Sequence, residues 1–304
     1  MSALYVSGSS GRRRGRRSFF FIGIGVFLSL ILAGGAFFFW KNEETMSQSL
    51  RSLLEAGDYI ALKDETEEIL EENPIDQHAL LLNAYANFML GMGEIEEEQR
   101  QEFFDASIVA FRKLLILRPL TPEIAYMLGK AYFHKGEFYA DLSSYYLDYA
   151  LAKGYEAADL LEYLGLSAAR EGDYSKSSEF FLRAKDQGKD SPLLDLALAR
   201  SLIELGDYDR AHDLLSPLAE QSNREYQVEA LLLLGELHYR AQRYEDARDY
   251  LEKLVQIQES AEAYFYLGEI ASHAGDQIKA RSFWRKALQI NPNHLLSLER
   301  LSAH

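Results

Sequence analysis

The side chains of this chain that could do chemistry are numerous but scattered. There are 47 aspartates and glutamates, seven histidines and no cysteine. Without a thiol there is no disulfide, thiolate metal site or cysteine nucleophile. A zinc site needs histidines and carboxylates at fixed short spacing, such as two histidines four apart on one helix. His78, His134, His212, His238, His273, His294 and His304 show no such spacing and read as surface or packing residues. No HExxH, CxxC, Gly-x-Ser-x-Gly or phosphate-binding glycine loop occurs, and Gly23-Ile24-Gly25 falls inside an apolar run. The carboxylates form many incidental pairs. A working acid and base would need a pocket that separates their pKa values, which solvated helix faces do not supply. The expectation is therefore no enzyme, no catalytic residue, no metal and no cofactor. Recognition remains as the function, and it depends on how the chain builds a surface.

Charge divides the chain in two. The formal net charge is −15, yet residues 1–40 hold five arginines (Arg12, Arg13, Arg14, Arg16, Arg17) and no acid, so the remainder carries −20. Such a surface repels nucleic acid, which needs a basic footprint. Residues 1–17 read as a disordered basic tail. Ser18 to Trp40 then runs without a charge. As a helix rising 1.5 Å per residue it would reach about 34 Å, enough to cross a hydrocarbon core of about 30 Å. The positive-inside rule places the arginines in the cytoplasm and everything after Trp40 outside it. A cleaved signal peptide is the rival reading, with Ala33-Gly34-Gly35 as its small-residue site. Phe37–Trp40 extends the apolar run past that site, and the run exceeds a normal signal core. Residues 18–40 are thus expected to be a retained transmembrane helix.

The rest of the chain repeats a pattern of about 34 residues. It is clearest in residues 261–294: Tyr264, Leu267-Gly268 and Ala271, then Ala280, Trp284 and Ala287, then Pro292. Similar units fall at about 43–76, 77–121, 122–157, 158–191, 192–227 and 228–260, and Leu295–His304 reads as a closing helix with an apolar stripe of Leu295, Leu296, Leu298 and Leu301. Each unit has two helical stretches. Several are joined by Gly-Asp-Tyr, where glycine takes the left-handed conformation that ends one helix and aspartate caps the next. Small residues at the Gly and Ala positions let the two helices approach closely. Pro192 behind Ser191 marks a helix start. Pro217 should kink or stop its helix early. The second unit holds an acidic insertion of roughly ten residues around Gly91–Gln101, and the third has about two extra residues near Tyr139–Asp141.

These motifs resemble those of the tetratricopeptide repeat family. The resemblance implies an all-α solenoid, a right-handed superhelix of about seven helix pairs with a C-terminal capping helix. It implies a concave groove lined by the first helix of each pair. Carried over by repeat position, the groove residues are Leu81, Tyr85, Phe88, Tyr126, Lys130, Phe133, Tyr163, Leu166, Leu196, Arg200, Ile203, Leu232, Tyr239 and Phe265, with Glu236 and Glu269. The alternative is that these side chains fill the gaps between neighbouring first helices. The chaperone-binding branch of the family holds a C-terminal carboxylate with lysine and asparagine. The groove positions here offer Lys130 and Arg200 without an asparagine, so that ligand is not expected.

One N-terminal helix followed by repeats is similar in arrangement to the YfgM-like proteins of the bacterial inner membrane. That likeness implies a single-pass scaffold or adaptor with its repeats in the periplasm. Its expected partner is a peptide segment or another envelope protein, with the bilayer held through residues 18–40. No nucleic acid or small-molecule substrate is expected. A holdase for exported chains and a self-assembling structural element are the competing readings. The acidic insertion at 91–101 competes with the groove as the recognition site.

Overall fold

A computed structural model describes residues 47–302, which form fifteen α-helices and, among these residues, no strand. The arginine cluster and the apolar run 18–40 lie outside the described residues, and no helix among those described is long and apolar enough to cross a membrane. The pairs are α1 (Gln48–Ala56) with α2 (Tyr59–Glu72), α3 (Gln77–Gly93) with α4 (Glu97–Leu117), and α5 (Pro122–Lys135) with α6 (Ala140–Ala152). Then come α7 (Leu160–Glu171) with α8 (Tyr174–Asp186) and α9 (Pro192–Leu205) with α10 (Tyr208–Ala219). The last pairs are α11 (Arg224–Arg240) with α12 (Tyr244–Ile257) and α13 (Ala261–His273) with α14 (Gln277–Ile290), followed by α15 (Leu295–Ser302). Each helix packs on its sequence neighbours, and from α5 to α13 the first helices of successive pairs also touch one another. The result is a two-layer stack with one long core and a small second cluster around Phe265 and Trp284 at its C-terminal end, in which each pair needs the next to cover its apolar face.

The tight approach within a pair has a clear cause. A Cβ built on Gly165 in α7 would lie 2.5 Å from the ring of Phe181 in α8, and one on Gly268 in α13 would lie 2.4 Å from the indole nitrogen of Trp284 in α14. Both rings are fully enclosed. The glycines are thus the sockets into which large second-helix side chains insert.

The turns follow the same logic. At Gly172 the backbone takes φ +81°, and the Asp173 N–H reaches back to the Ala168 carbonyl at 2.9 Å. The Asp173 carboxylate then accepts the Lys176 N–H at 3.0 Å and starts α8. Asp58, Asp207 and Asp276 cap α2, α10 and α14 in the same way. The sixth pair departs from this. Gln242 stands at φ +60°, the one non-glycine with positive φ among the described residues, and Arg243 gives α12 no side-chain cap. A left-handed non-glycine residue costs about 1–2 kcal/mol, and a cap contributes about 1 kcal/mol. Restoring the turn with Gln242→Gly and Arg243→Asp should therefore raise stability by about 1–2 kcal/mol in denaturant melts. The Arg243–Asp209 contact it removes is 3.7 Å long and exposed, and such pairs contribute little. An unchanged or lower midpoint would contradict this account of the turn.

Several irregularities of the sequence resolve into helix. The acidic insertion is no long loop: α3 runs on to Gly93, α4 begins at Glu97, and only Glu94–Glu96 link them. Glu97 and Glu98 sit in the first turn of α4, where carboxylates favour the positive end of the helix dipole. The extra residues of the third unit form a single 3-10 turn, Glu137–Tyr139. Ser191 caps α9 as expected by accepting the Leu194 N–H, and α10 ends two residues after Pro217. The helix expected from 228 instead begins at Arg224, because the Asn223 side chain accepts the Glu225 N–H and caps it there. The closing helix also differs from expectation. Leu295, Leu296 and Leu298 are exposed. Of the expected stripe only Leu301 docks, together with His294 and Ser297: His294 rests on Phe265, and Leu301 packs against the Phe265 and Trp284 cluster.

Candidate functional site

The first helices α3, α5, α7, α9, α11 and α13 carry all the residues assigned to the groove, and most of those side chains are internal. Leu81, Tyr85, Phe88, Tyr126, Lys130, Phe133, Tyr163, Leu196, Ile203 and Phe265 are buried, as are Glu236 and Glu269. Leu166, Arg200, Leu232 and Tyr239 are half-buried. The layer is therefore built mainly by side chains wedged between neighbouring first helices, and a partner could reach it at the four half-buried positions.

The clearest wedge joins α5 to α7. Lys130 is 1% exposed. Its ammonium donates to the Asp159 carboxylate at 2.8 Å and to the Tyr126 hydroxyl at 3.0 Å, while that hydroxyl donates to the other Asp159 oxygen. The ammonium also lies 4.6 Å from the centre of the Tyr163 ring, 4.9 Å from Tyr126 and 5.7 Å from Phe88. Burial and then the neighbouring Asp159 charge push the Tyr126 hydroxyl well above the usual phenol range. Asp159 precedes α7 but makes no capping bond. Its carboxylate is committed across the joint, so Lys130 is not a free groove cation.

Comparable contacts recur along the layer. His134 Nε2 meets the Tyr163 hydroxyl at 2.9 Å, and the Arg170 guanidinium donates to the Phe133 carbonyl while lying over the Phe133 ring. Farther along, Arg200 pairs with Glu229 at 2.5 Å. Arg240 pairs with both Glu204 and Glu236. Arg300 forks onto Glu269 at 2.6 and 2.8 Å. The layer thus combines aromatic contacts with ion pairs, and the ion pairs are more frequent from α9 to α15. Sequence reasoning missed Asp159, Glu204, Glu229 and Arg300. A signal for them existed, since Lys130 and Asp159 stand as far apart as Arg200 and Glu229, opposite charges nearly one repeat apart.

Histidines occupy several of these joints. His134 stacks on Phe104 at 5.1 Å and meets Phe133 and Tyr163 edge-on. Burial, and after it Lys130, Arg170 and Arg100, push its pKa well below the ordinary value. His238 and His294 are lowered as well, each chiefly by burial. All three are therefore neutral in the fold, whereas the unfolded chain takes up their protons below about pH 6.5. Their contribution to stability is complete above that value and is lost as the pH falls below it. Replacing His134 with phenylalanine should shrink the loss of melting temperature between neutral pH and pH 5. An unchanged pH dependence would contradict the assignment. Among the described residues, no three histidines or carboxylates converge as a metal ion would require.

Comparison with known proteins now bears on this layered arrangement. The tetratricopeptide repeat family matches residues 92–149, 143–192 and 196–261, and again residues 261–294. The chain belongs to the tetratricopeptide repeat family. A TPR repeat-containing protein of Methanocaldococcus jannaschii, MJ1428, is 25% identical over 235 residues, 72% of this chain, and the chain spans 38% of that relative's length. Among solved structures, a tetratricopeptide repeat protein from Parabacteroides merdae superposes with a TM-score of 0.57 at 17% identity, covering 84% of this chain and 95% of its own. The PilF protein of Pseudomonas aeruginosa gives 0.51 at 19% identity, over 73% and 97% of the two chains. At these identities the likeness is one of fold. Tetratricopeptide proteins generally mediate protein–protein interactions.

Proposed function

We propose that this tetratricopeptide protein is a membrane-anchored scaffold of the bacterial cell envelope that holds one protein partner on its first-helix layer. The observation that carries the reading is the sequence order: five arginines, 23 uncharged and mainly apolar residues, then a solenoid with no polar constellation suited to chemistry. The anchor is residues 18–40, the N-terminus is cytoplasmic and the solenoid is extracytoplasmic. Recognition centres on the accessible part of the layer, Leu166, Arg200, Leu232 and Tyr239. The partly exposed Tyr239 ring sits among Tyr244, Tyr266 and His273, and tyrosine is a favoured contact residue at interfaces. Protease added to spheroplasts should digest the solenoid. Protection of residues 41–304, or a mature chain lacking residues 18–40, would overturn the topology. A holdase is the second reading. It would suppress aggregation of unrelated unfolded proteins, whereas a scaffold saturates with one partner at fixed stoichiometry.

A further inference from the structure

Exposed apolar side chains are unevenly distributed along this solenoid. Between residues 146 and 277, Leu205 is the one large apolar side chain exposed among the described residues. The outer faces of α8, α10 and α12 there carry charge, as at Glu179, Asp209 and Asp249. Nearer the N-terminus the outer layer is different. Phe138 is 89% exposed, Ile116 84% and Tyr145 62%, with Leu142 also exposed.

Three of these side chains lie on one helix face. Phe138, Leu142 and Tyr145 follow i, i+4, i+7 spacing and so share a face of α6 and the 3-10 turn before it. Ile116 is one turn beyond Arg112 on α4, and Arg112 stands beside the hydroxyls of Tyr132 and Tyr146. The Tyr132 ring stacks on Tyr139 at 5.9 Å and on Tyr146 at 5.7 Å, and Tyr145 meets Tyr146 edge-on at 5.1 Å. The outer faces of α4 and α6 thus carry aromatic side chains together with two exposed cations, Arg112 and Lys113, and two exposed carboxylates, Glu137 and Asp141.

The chain length before the solenoid indicates what covers this patch. Six residues, 41–46, separate Trp40 from the first described residue. Fully extended, the steps from Trp40 to Ser47 span at most about 25 Å. Each packed helix adds only about 8–10 Å, so the N-terminal pairs stay near any bilayer that holds residues 18–40. Tyrosine favours the membrane–water interface, and an apolar face can sink into the headgroup boundary.

We infer that the outer face of α4 and α6 lies on the interfacial zone of the bilayer, held there by Ile116, Phe138, Leu142 and Tyr145, so that the solenoid projects its later pairs away from the membrane. This rests on the reading of residues 18–40 as an anchor. The absence of cysteine makes the test direct. Spin labels are attached to single-cysteine variants of the full chain, Ile116→Cys, Tyr145→Cys, Leu30→Cys and Glu252→Cys. The chains are reconstituted in vesicles of phosphatidylcholine and phosphatidylglycerol. Collision with oxygen, which concentrates in lipid, is compared with collision with a water-soluble nickel chelate. The expected result is a shift toward oxygen at positions 30, 116 and 145 and none at 252. A shift at position 30 alone overturns this inference and leaves the anchor standing. No shift at position 30 overturns the anchor and the inference with it. Dipolar broadening at 116 and 145 without the shift would assign the patch to a second copy of the chain and overturn the inference.

Discussion

Replacing Lys130 with alanine is expected to destabilise the fold by about 3–5 kcal/mol, the usual result of leaving a buried charge without its partner. The Asp159 side chain is only 13% exposed, so water cannot replace the lost ammonium fully. The Tyr126 hydroxyl would be its one remaining donor in the trio. The same argument predicts recovery when the whole polar group is removed. Tyr126→Phe, Lys130→Met and Asp159→Leu combined should be far more stable than Lys130→Ala alone, because buried ionic groups can often be replaced by apolar ones of similar size at little cost. Denaturant titration of the two variants checks this. If Lys130→Ala melts like the parent chain, the trio does not hold the α5–α7 joint.

Replacing Gly165 with valine should cost at least about 1–3 kcal/mol, the range for overpacking a filled core. The added Cβ alone would meet three atoms of the Phe181 ring within 2.5–2.8 Å, and that ring, 1% exposed, has no free space to enter. Separating α7 from α8 would also expose the apolar faces on which pairs five and three rest. Combining Gly165→Ala with Phe181→Leu should be less destabilised than Gly165→Ala alone, because the shorter side chain vacates the contested volume. Additive losses in the two substitutions would show that helix contact is not what Gly165 provides.

Much of this architecture was legible in the sequence. Glycine and alanine fall at the helix contacts, and Gly-Asp-Tyr encodes both the end of one helix and the cap of the next. Pro217 and Ser191-Pro192 act where they stand because proline and the N-cap serine work through local geometry. What escaped was set by packing across repeats. Gly91–Gln101 read as an acidic insertion, yet helix propagation from both sides absorbs most of it. Leu295, Leu296, Leu298 and Leu301 read as a sealing stripe, yet a helix of two turns docks through one narrow face, and of these four only Leu301 joins His294 and Ser297 on it. Lys130 was assigned to the groove because repeat position specifies a helix face and not the depth of a side chain. That depth depends on Asp159, a partner in the next repeat, which local periodicity does not reveal.

The accessible residues of the first-helix layer are accordingly the place to look for a partner. Tyr163 is unsuitable as a probe, because it is buried and bonded to His134, so truncating it would disturb the α5–α7 joint. The most direct measurement is photo-crosslinking in native membranes, with a benzophenone amino acid placed separately at Leu232, at Tyr239 and, as an outer-face control, at Glu252 of the full chain. A scaffold that holds one partner on this layer should give one discrete crosslinked protein from positions 232 and 239 and none from 252. A crosslink from 252 alone, or a ladder of unrelated proteins from 232 and 239, would contradict it.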